Sequence, residues 1–159
     1  MKIDLNNNDV VISTVGRLNK GYIKPMILSC INYAIKNPQQ HITLIVSGGT
    51  SNKLIEEKIK NEFVSTSKSI TNLNIVFTGY IFSLGKDFFR MTDIFIGMGT
   101  ASINAISQGC ATINIDPRSN KASGVFGVDT NNFAYSENNK LYKIEDKIVY
   151  KLEEVIIEK

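Results

Sequence analysis

The sequence predicts an α/β fold, a three-layer α/β/α sandwich built on a mostly parallel sheet. Short, near-continuous apolar runs recur at Val10–Val15, His41–Val46, Leu73–Phe77, Asp93–Ile96 and Ala111–Ile115, the pattern of strands buried on both faces. Stretches of helical period separate these runs, and regular alternation of this kind gives parallel strands joined by right-handed crossovers. With 159 residues, 43% hydrophobic and 21% charged, the chain is long enough for one well-buried core. Residues 1–159 are therefore expected to form a single domain.

The first strand, Val10–Val15, follows the polar lead Asn6-Asn7-Asn8-Asp9 and ends in Gly16-Arg17, where a loop to Lys24 begins. Pro25 suits a first helical turn, and Met26, Ile27, Cys30, Ile31, Ala34 and Ile35 make an apolar stripe, giving a helix over Pro25–Lys36. The second strand, His41–Val46, turns at Ser47-Gly48-Gly49 into a helix from Ser51 to about Val64, with Leu54, Ile55, Ile59 and Phe63 expected inward. Leu73–Phe77 is the third strand, Gly79-Tyr80-Ile81 closes it, and Leu84–Met91 is a short helix. Asp93–Ile96 then runs into the turn Gly97-Met98-Gly99 and a helix that Thr100 or Ser102 can cap. Gly109 ends that helix, and Ala111–Ile115 is the fifth strand. Residues 117–143 are polar and rich in Gly, Ser and Asn, an irregular segment with one short strand expected at Asn132–Tyr135. Helical period returns over 144–158, a helix that docks either on this domain or on something else.

A formal charge of +3, with Lys residues scattered among Glu and Asp, does not describe a nucleic-acid surface and fits an anionic small ligand. No run approaches the roughly 18 apolar residues of a membrane span. The start MKIDLNNNDVV has no signal-peptide core, so the cytoplasm is the expected compartment. Cys30 and Cys110 have no neighbour at metal spacing and read as buried free thiols. His41, at the start of a strand, has no nameable nucleophile partner.

In a parallel sheet, ligands bind beyond the carboxyl ends of the strands at the switch point. Five loops are then candidates: 16–20, 47–50, 79–81, 97–100 and 116–123. The turn before Thr100 presents unpaired N–H groups at a helix start, where the peptide dipoles favour an anion such as phosphate. Two phosphate motifs are near misses. Gly97-x-Gly99 has Ser102 where a dinucleotide fingerprint needs a third Gly, and Gly79 to Gly85-Lys86-Asp87 lacks the spacing and hydroxyl of a P-loop. No Asp-x-Asp pair is present to hold a metal on a diphosphate, which leaves the task to cations and helix N–H groups. Arg17, Lys20 and Lys24 follow the first strand beside that turn; a single Lys is more often solvated surface, but a guanidinium directly after a buried strand can grip phosphate with two bonds.

In its order of motifs the chain resembles the C-terminal domain of two-domain nucleotide-sugar glycosyltransferases of the GT-B fold, in particular the large retaining group called group 1. The resemblance rests on VGRL at Val15–Leu18 followed by Lys20-Gly21, IVSGG at Ile45–Gly49, NIVFTGYI at Asn74–Ile81 and the segment Asp93–Ile115. It spans about residues 10–116 and implies a Rossmann-like sandwich forming one half of a GT-B enzyme. In the family, an arginine and a following lysine stabilise the donor diphosphate as the glycosidic bond breaks. These roles map to Arg17 and Lys20, with Lys24 an alternative because the family interval is longer. The resemblance further implies that Gly97, Gly99, Thr100 and Ala101 meet the phosphates, that Tyr80 and Ile81 cradle the base, and that Gly16, Gly48 and Gly49 line the site. The family's two glutamates are replaced: the second position is Asn104, and the first falls in a shortened turn. A neutral amide holds ribose hydroxyls more weakly than a carboxylate, by about 1 kcal/mol or more.

The implied function is the donor half of a glycosyltransferase, taking a UDP-, GDP- or ADP-sugar without a metal or other cofactor and serving a polysaccharide or glycolipid acceptor. The implied partner is an N-terminal acceptor-binding domain, and since acceptors of the family are often lipid-linked, the resemblance leaves peripheral association with the inner face of a membrane open. Alternatives from the same fold are a non-catalytic nucleotide-binding or scaffolding domain and a nucleotide-sugar epimerase-like domain. An epimerase needs cleft carboxylates and His, for which the sequence offers only His41 at the wrong end of its strand. A flavodoxin-like or receiver domain is disfavoured because no acidic cluster follows the first strand.

Overall fold

The computed structural model describes residues 9–81, 84–133 and 140–158. The elements are β1 (Val10–Val15), α1 (Ile23–Lys36), β2 (Ile42–Ser47), α2 (Lys53–Ser67), β3 (Leu73–Gly79), α3 (Lys86–Arg90), β4 (Ile94–Gly97), α4 (Thr100–Ser107), β5 (Ala111–Ile115), β6 (Ala122–Val125) and α5 (Ile144–Glu158). They form one sheet in the order β3-β2-β1-β4-β5-β6. The first five strands are parallel, and β6 runs antiparallel on β5. The order reverses between β1 and β4, so the loops after these two strands part company at one crevice.

Alternation along each strand divides the core into two layers. Val10 and Ile12 of β1, Ile42, Leu44 and Val46 of β2, Ile94 and Ile96 of β4, and Ile113 and Ile115 of β5 face the larger cluster, closed by α1, α2 and α5. Val11, Ile45 and Phe95 face the smaller cluster, closed by Phe88 and Phe89 of α3 and Ala105 of α4. Cys30 and Cys110 are buried free thiols, and burial pushes them up to about 12 and about 11.

Two expectations need correction. Among the described residues, the one short strand expected within 117–143 lies at Ala122–Val125 and not at Asn132–Tyr135. Its sequence, ASGV, has no alternation to betray it, and its pairing comes from the backbone of β5. Asn132 and Phe133 are not strand, while the rest of that expected strand lies outside the described residues. In α2 only Ile59 and Phe63 are buried; Leu54 and Ile55 sit in the first turn, 77% and 41% exposed. The last helix docks on the domain itself: Ile144, Ile148 and Leu152 form its buried stripe, packed with α1.

Candidate functional site

The loops after β1, β2 and β3 are stitched together by backbone bonds. Gly16 N–H donates to the Ser47 carbonyl (2.9 Å), Leu18 N–H to that of Gly49 (3.2 Å), and Gly48 N–H to that of Gly79 (2.8 Å). Gly48 makes this approach possible: its φ is +135° and a Cβ there would lie 1.9 Å from the Gly16 carbonyl oxygen. Beside these bonds lies a cleft of about 160 Å³ at the carboxyl end of the sheet. It brings together six of the expected residues, Gly16, Arg17, Gly48, Gly49, Tyr80 and Ile81, and adds Val15 and Ser47.

Arg17 and Lys20 share one turn, in which Lys20 N–H donates to the Arg17 carbonyl at 3.1 Å. The Lys20 stem lies against Gly16, its Cδ 3.8 Å from where a Cβ would stand. Partial burial and the neighbouring Arg17 charge lower the Lys20 pKa from its ordinary 10.5. Neither side chain forms an ion pair among the described residues. Two cations held together with no carboxylate between them form a site that an anion would relieve. Beneath this turn Tyr22 is fully buried, its hydroxyl 3.2 Å from that of Thr14 and packed under Gly16.

Lys24 does not join them. Its ammonium is 2.9 Å from Glu62 of α2 and sits over the Phe63 ring, because the first turn of α1 faces α2.

The Gly97–Gly99 turn follows β4 directly and so lies across the crevice from the β1 loop. Gly99, with φ +60°, is the N-cap of α4, and no side chain caps the helix. Thr100 and Ser102 were the expected caps, yet Thr100 is already the first helical residue and the Ser102 hydroxyl is buried without a partner. The Gly99 N–H, expected to meet phosphate, instead donates to the Phe133 carbonyl at 3.1 Å. The helix-start N–H groups without an intrahelical acceptor are then those of Thr100, Ala101 and the buried Ser102, the first two being among the expected residues. Asn104 lies elsewhere, in a separate depression of about 190 Å³ between α4 and α3, with Leu84, Lys86 and Phe89. Tyr80 is 81% exposed at the rim of the cleft.

Sequence reasoning missed three contributors: Tyr22, the Phe133 carbonyl and Glu56. Glu56 accepts from the Thr50 N–H (3.3 Å) and binds Lys60 (2.5 Å), while Asn52 caps α2 through Leu54 and Ile55 N–H. Glu56 stands four residues after the Asn52 cap, one beyond the capping-box spacing, so no local pattern signals its reach back to Thr50. No cluster of three or more His, Cys, Asp or Glu able to hold a metal occurs among the described residues.

Fold and cleft together describe a Rossmann-like α/β domain with a cleft at the carboxyl ends of β1, β2 and β3, to one side of the switch point. This is the fold of the C-terminal half of GT-B glycosyltransferases. The chain is similar to the C-terminal domain of a glycosyl transferase group 1 family protein, LpcC, from Francisella tularensis, at 21% identity and a TM-score of 0.58, over 93% of this chain and 75% of that one. It is also similar to TarM of S. aureus, solved with UDP among its ligands, at 13% identity and a TM-score of 0.56, over 97% of this chain and 31% of that one. A third likeness, to the GtfA/B complex, has 14% identity and a TM-score of 0.56, over 94% of this chain and 29% of that one. The chain thus spans about a third or less of the length of the latter two. No family model and no curated protein matches the sequence.

Proposed function

We propose that this domain is the donor half of a glycosyltransferase, binding a nucleoside diphosphate-sugar in the cleft after β1, β2 and β3. The observation that carries the reading is the pairing of Arg17 and Lys20 on one turn after β1, beside a glycine-lined cleft and with no ion-pair partner among the described residues. A diphosphate placed there receives the Arg17 guanidinium and the Lys20 ammonium, while Thr100 and Ala101 N–H groups face it from α4. As the bond from the sugar anomeric carbon to the diphosphate oxygen breaks, its electron pair stays on that oxygen, and the two cations stabilise the added charge. The acceptor hydroxyl oxygen bonds to the anomeric carbon and passes its proton to the departing diphosphate oxygen. Charge stabilisation of this kind needs no metal.

The acceptor is proposed to be a polysaccharide or glycolipid held by a second, N-terminal domain facing this cleft. The cytoplasm, at the inner face of a membrane, is the proposed place of action. No helix among the described residues is long and apolar enough to cross a membrane.

Calorimetric titration with UDP, GDP and ADP, alongside Arg17→Ala, tests the reading. Saturable binding of one nucleotide, weakened at least tenfold (about 1.4 kcal/mol) in Arg17→Ala, supports it. Absence of binding at millimolar nucleotide, or indifference to Arg17, overturns it in favour of a scaffold of the same fold.

A further inference from the structure

Arg17 is held at both sides by the loop after β2. Gly16 N–H on its one side donates to Ser47, and Leu18 N–H on the other donates to Gly49, at 2.9 and 3.2 Å. The position of the Arg17 backbone, from which its exposed side chain extends, thus depends on where the Ser47–Thr50 loop stands. That loop is in turn tied from α2. The Glu56 Oε2 atom accepts from Thr50 N–H at 3.3 Å and lies 3.1 Å from where a Gly49 Cβ would stand.

Glu56 is placed to do this without spoiling an anion site. Its other oxygen, Oε1, is 2.5 Å from the Lys60 ammonium one turn along α2, so the carboxylate is locally neutralised. The side chains of Glu56 and Lys60 are only 20% and 31% exposed, which favours one arrangement over many. Asn52 fixes the start of the same helix by accepting from Leu54 and Ile55 N–H. A rigid α2 end, a carboxylate reaching back from it, and a loop amide at the cleft wall form one continuous support.

Resting on the donor-site reading, we propose that Glu56 is a positioning residue: through Thr50 and Gly49 it fixes the β1 loop so that Arg17 meets the diphosphate. Glu56 touches no ligand itself. What it supplies is a hydrogen-bond acceptor, with Lys60 removing the charge that would otherwise repel a phosphate. Glutamine retains the acceptor for Thr50 N–H; alanine does not. The two substitutions separate positioning from charge.

The test uses amide hydrogen exchange and titration with UDP, GDP and ADP on the whole chain. In Glu56→Ala, exchange at the Leu18 amide quickens and the affinity for whichever nucleotide binds falls roughly tenfold, the scale of a small misplacement of a binding group. Glu56→Gln restores both. In an Arg17→Ala background, Glu56→Ala has no further effect on affinity, because its influence passes through Arg17. A residue that only stabilised the fold would lower the melting temperature and weaken binding equally in both backgrounds, overturning the proposal. Unchanged Leu18 exchange in Glu56→Ala overturns it whether or not any nucleotide binds. If Arg17→Ala loses binding and Glu56→Ala does not, the donor-site reading stands and the positioning role falls. Should Glu56→Ala fail to fold, Glu56→Asp, one methylene shorter, withdraws the carboxylate from Thr50 and is read in the same way.

Discussion

The amide of Gly99 donates to the carbonyl of Phe133 at 3.1 Å, so the segment after β6 secures the glycine turn at the start of α4. The same segment is anchored by Asn114, whose Nδ2 donates to the Asn132 carbonyl at 3.0 Å, and by the stacking of Phe133 on Phe126. Gly99 should be protected from hydrogen exchange without ligand. Thr100 and Ala101 should exchange quickly and slow when nucleotide is added, a pattern that amide-resolved exchange by NMR reads directly. Protection of Gly99 appearing only with nucleotide would mean the Phe133 contact is absent in solution.

Replacing Gly48 should be the most damaging small change at the cleft. An alanine Cβ would meet the Gly16 carbonyl at 1.9 Å on a backbone at φ +135°, and backbone rather than a flexible side chain would have to move. Gly48→Ala should destabilise by about 3 kcal/mol or more, lowering the melting temperature by roughly 6–12 °C. Gly85→Ser, at an N-cap with ordinary φ and open space around it, should change stability by less than about 1 kcal/mol.

Asn72 predicts a larger effect than its size suggests. Its buried amide Nδ2 lies 3.0, 3.0 and 2.9 Å from the carbonyls of Ala34, Asn37 and Gln40, joining the end of α1 to the start of β2 and β3. Asn72→Ala leaves these acceptors short of a donor and should cost about 2–3 kcal/mol in chemical denaturation. Asn72→Asp, nearly the same shape but without the N–H groups, should cost more by setting a carboxylate against three carbonyls.

Lys20 predicts a proton signature. Burial and Arg17 disfavour its charged form and place its pKa below 10.5, so its charge costs stability, a cost that fades as pH rises through the folded value. A bound diphosphate favours the ammonium and moves the pKa back up. Binding should therefore take up protons as the pH approaches the ordinary lysine value of 10.5 from below, seen as a dependence of calorimetric heat on buffer ionisation enthalpy, and Lys20→Ala should remove it.

Strands were the most legible part of the chain, because β1, β2, β4 and β5 are buried on both faces and therefore near-continuously apolar. The cleft was legible where local chemistry decides it: Gly48 and Arg17 stand at strand ends and cannot be far from the switch point. Contacts between distant segments were not. Nothing near Lys24 indicates that Glu62 will take its charge, and nothing near Gly99 points to Phe133. The inward face of α2 was misjudged for a similar reason, since helical period places Leu54 and Ile55 on a stripe but does not say where the sheet beneath begins.

Helix α5 lies against α1, with Ile148 and Leu152 fully buried among residues such as Ile23, Ile27 and Cys30. On the ribosome, these two partners emerge in the reverse of convenient order. The sheet and the lower half of the sandwich can assemble while the apolar side of α1 waits, for roughly 5–20 s at ordinary rates of synthesis, for the helix that will cover it. During that interval the nascent domain exposes the apolar face of α1, which α5 covers when it arrives.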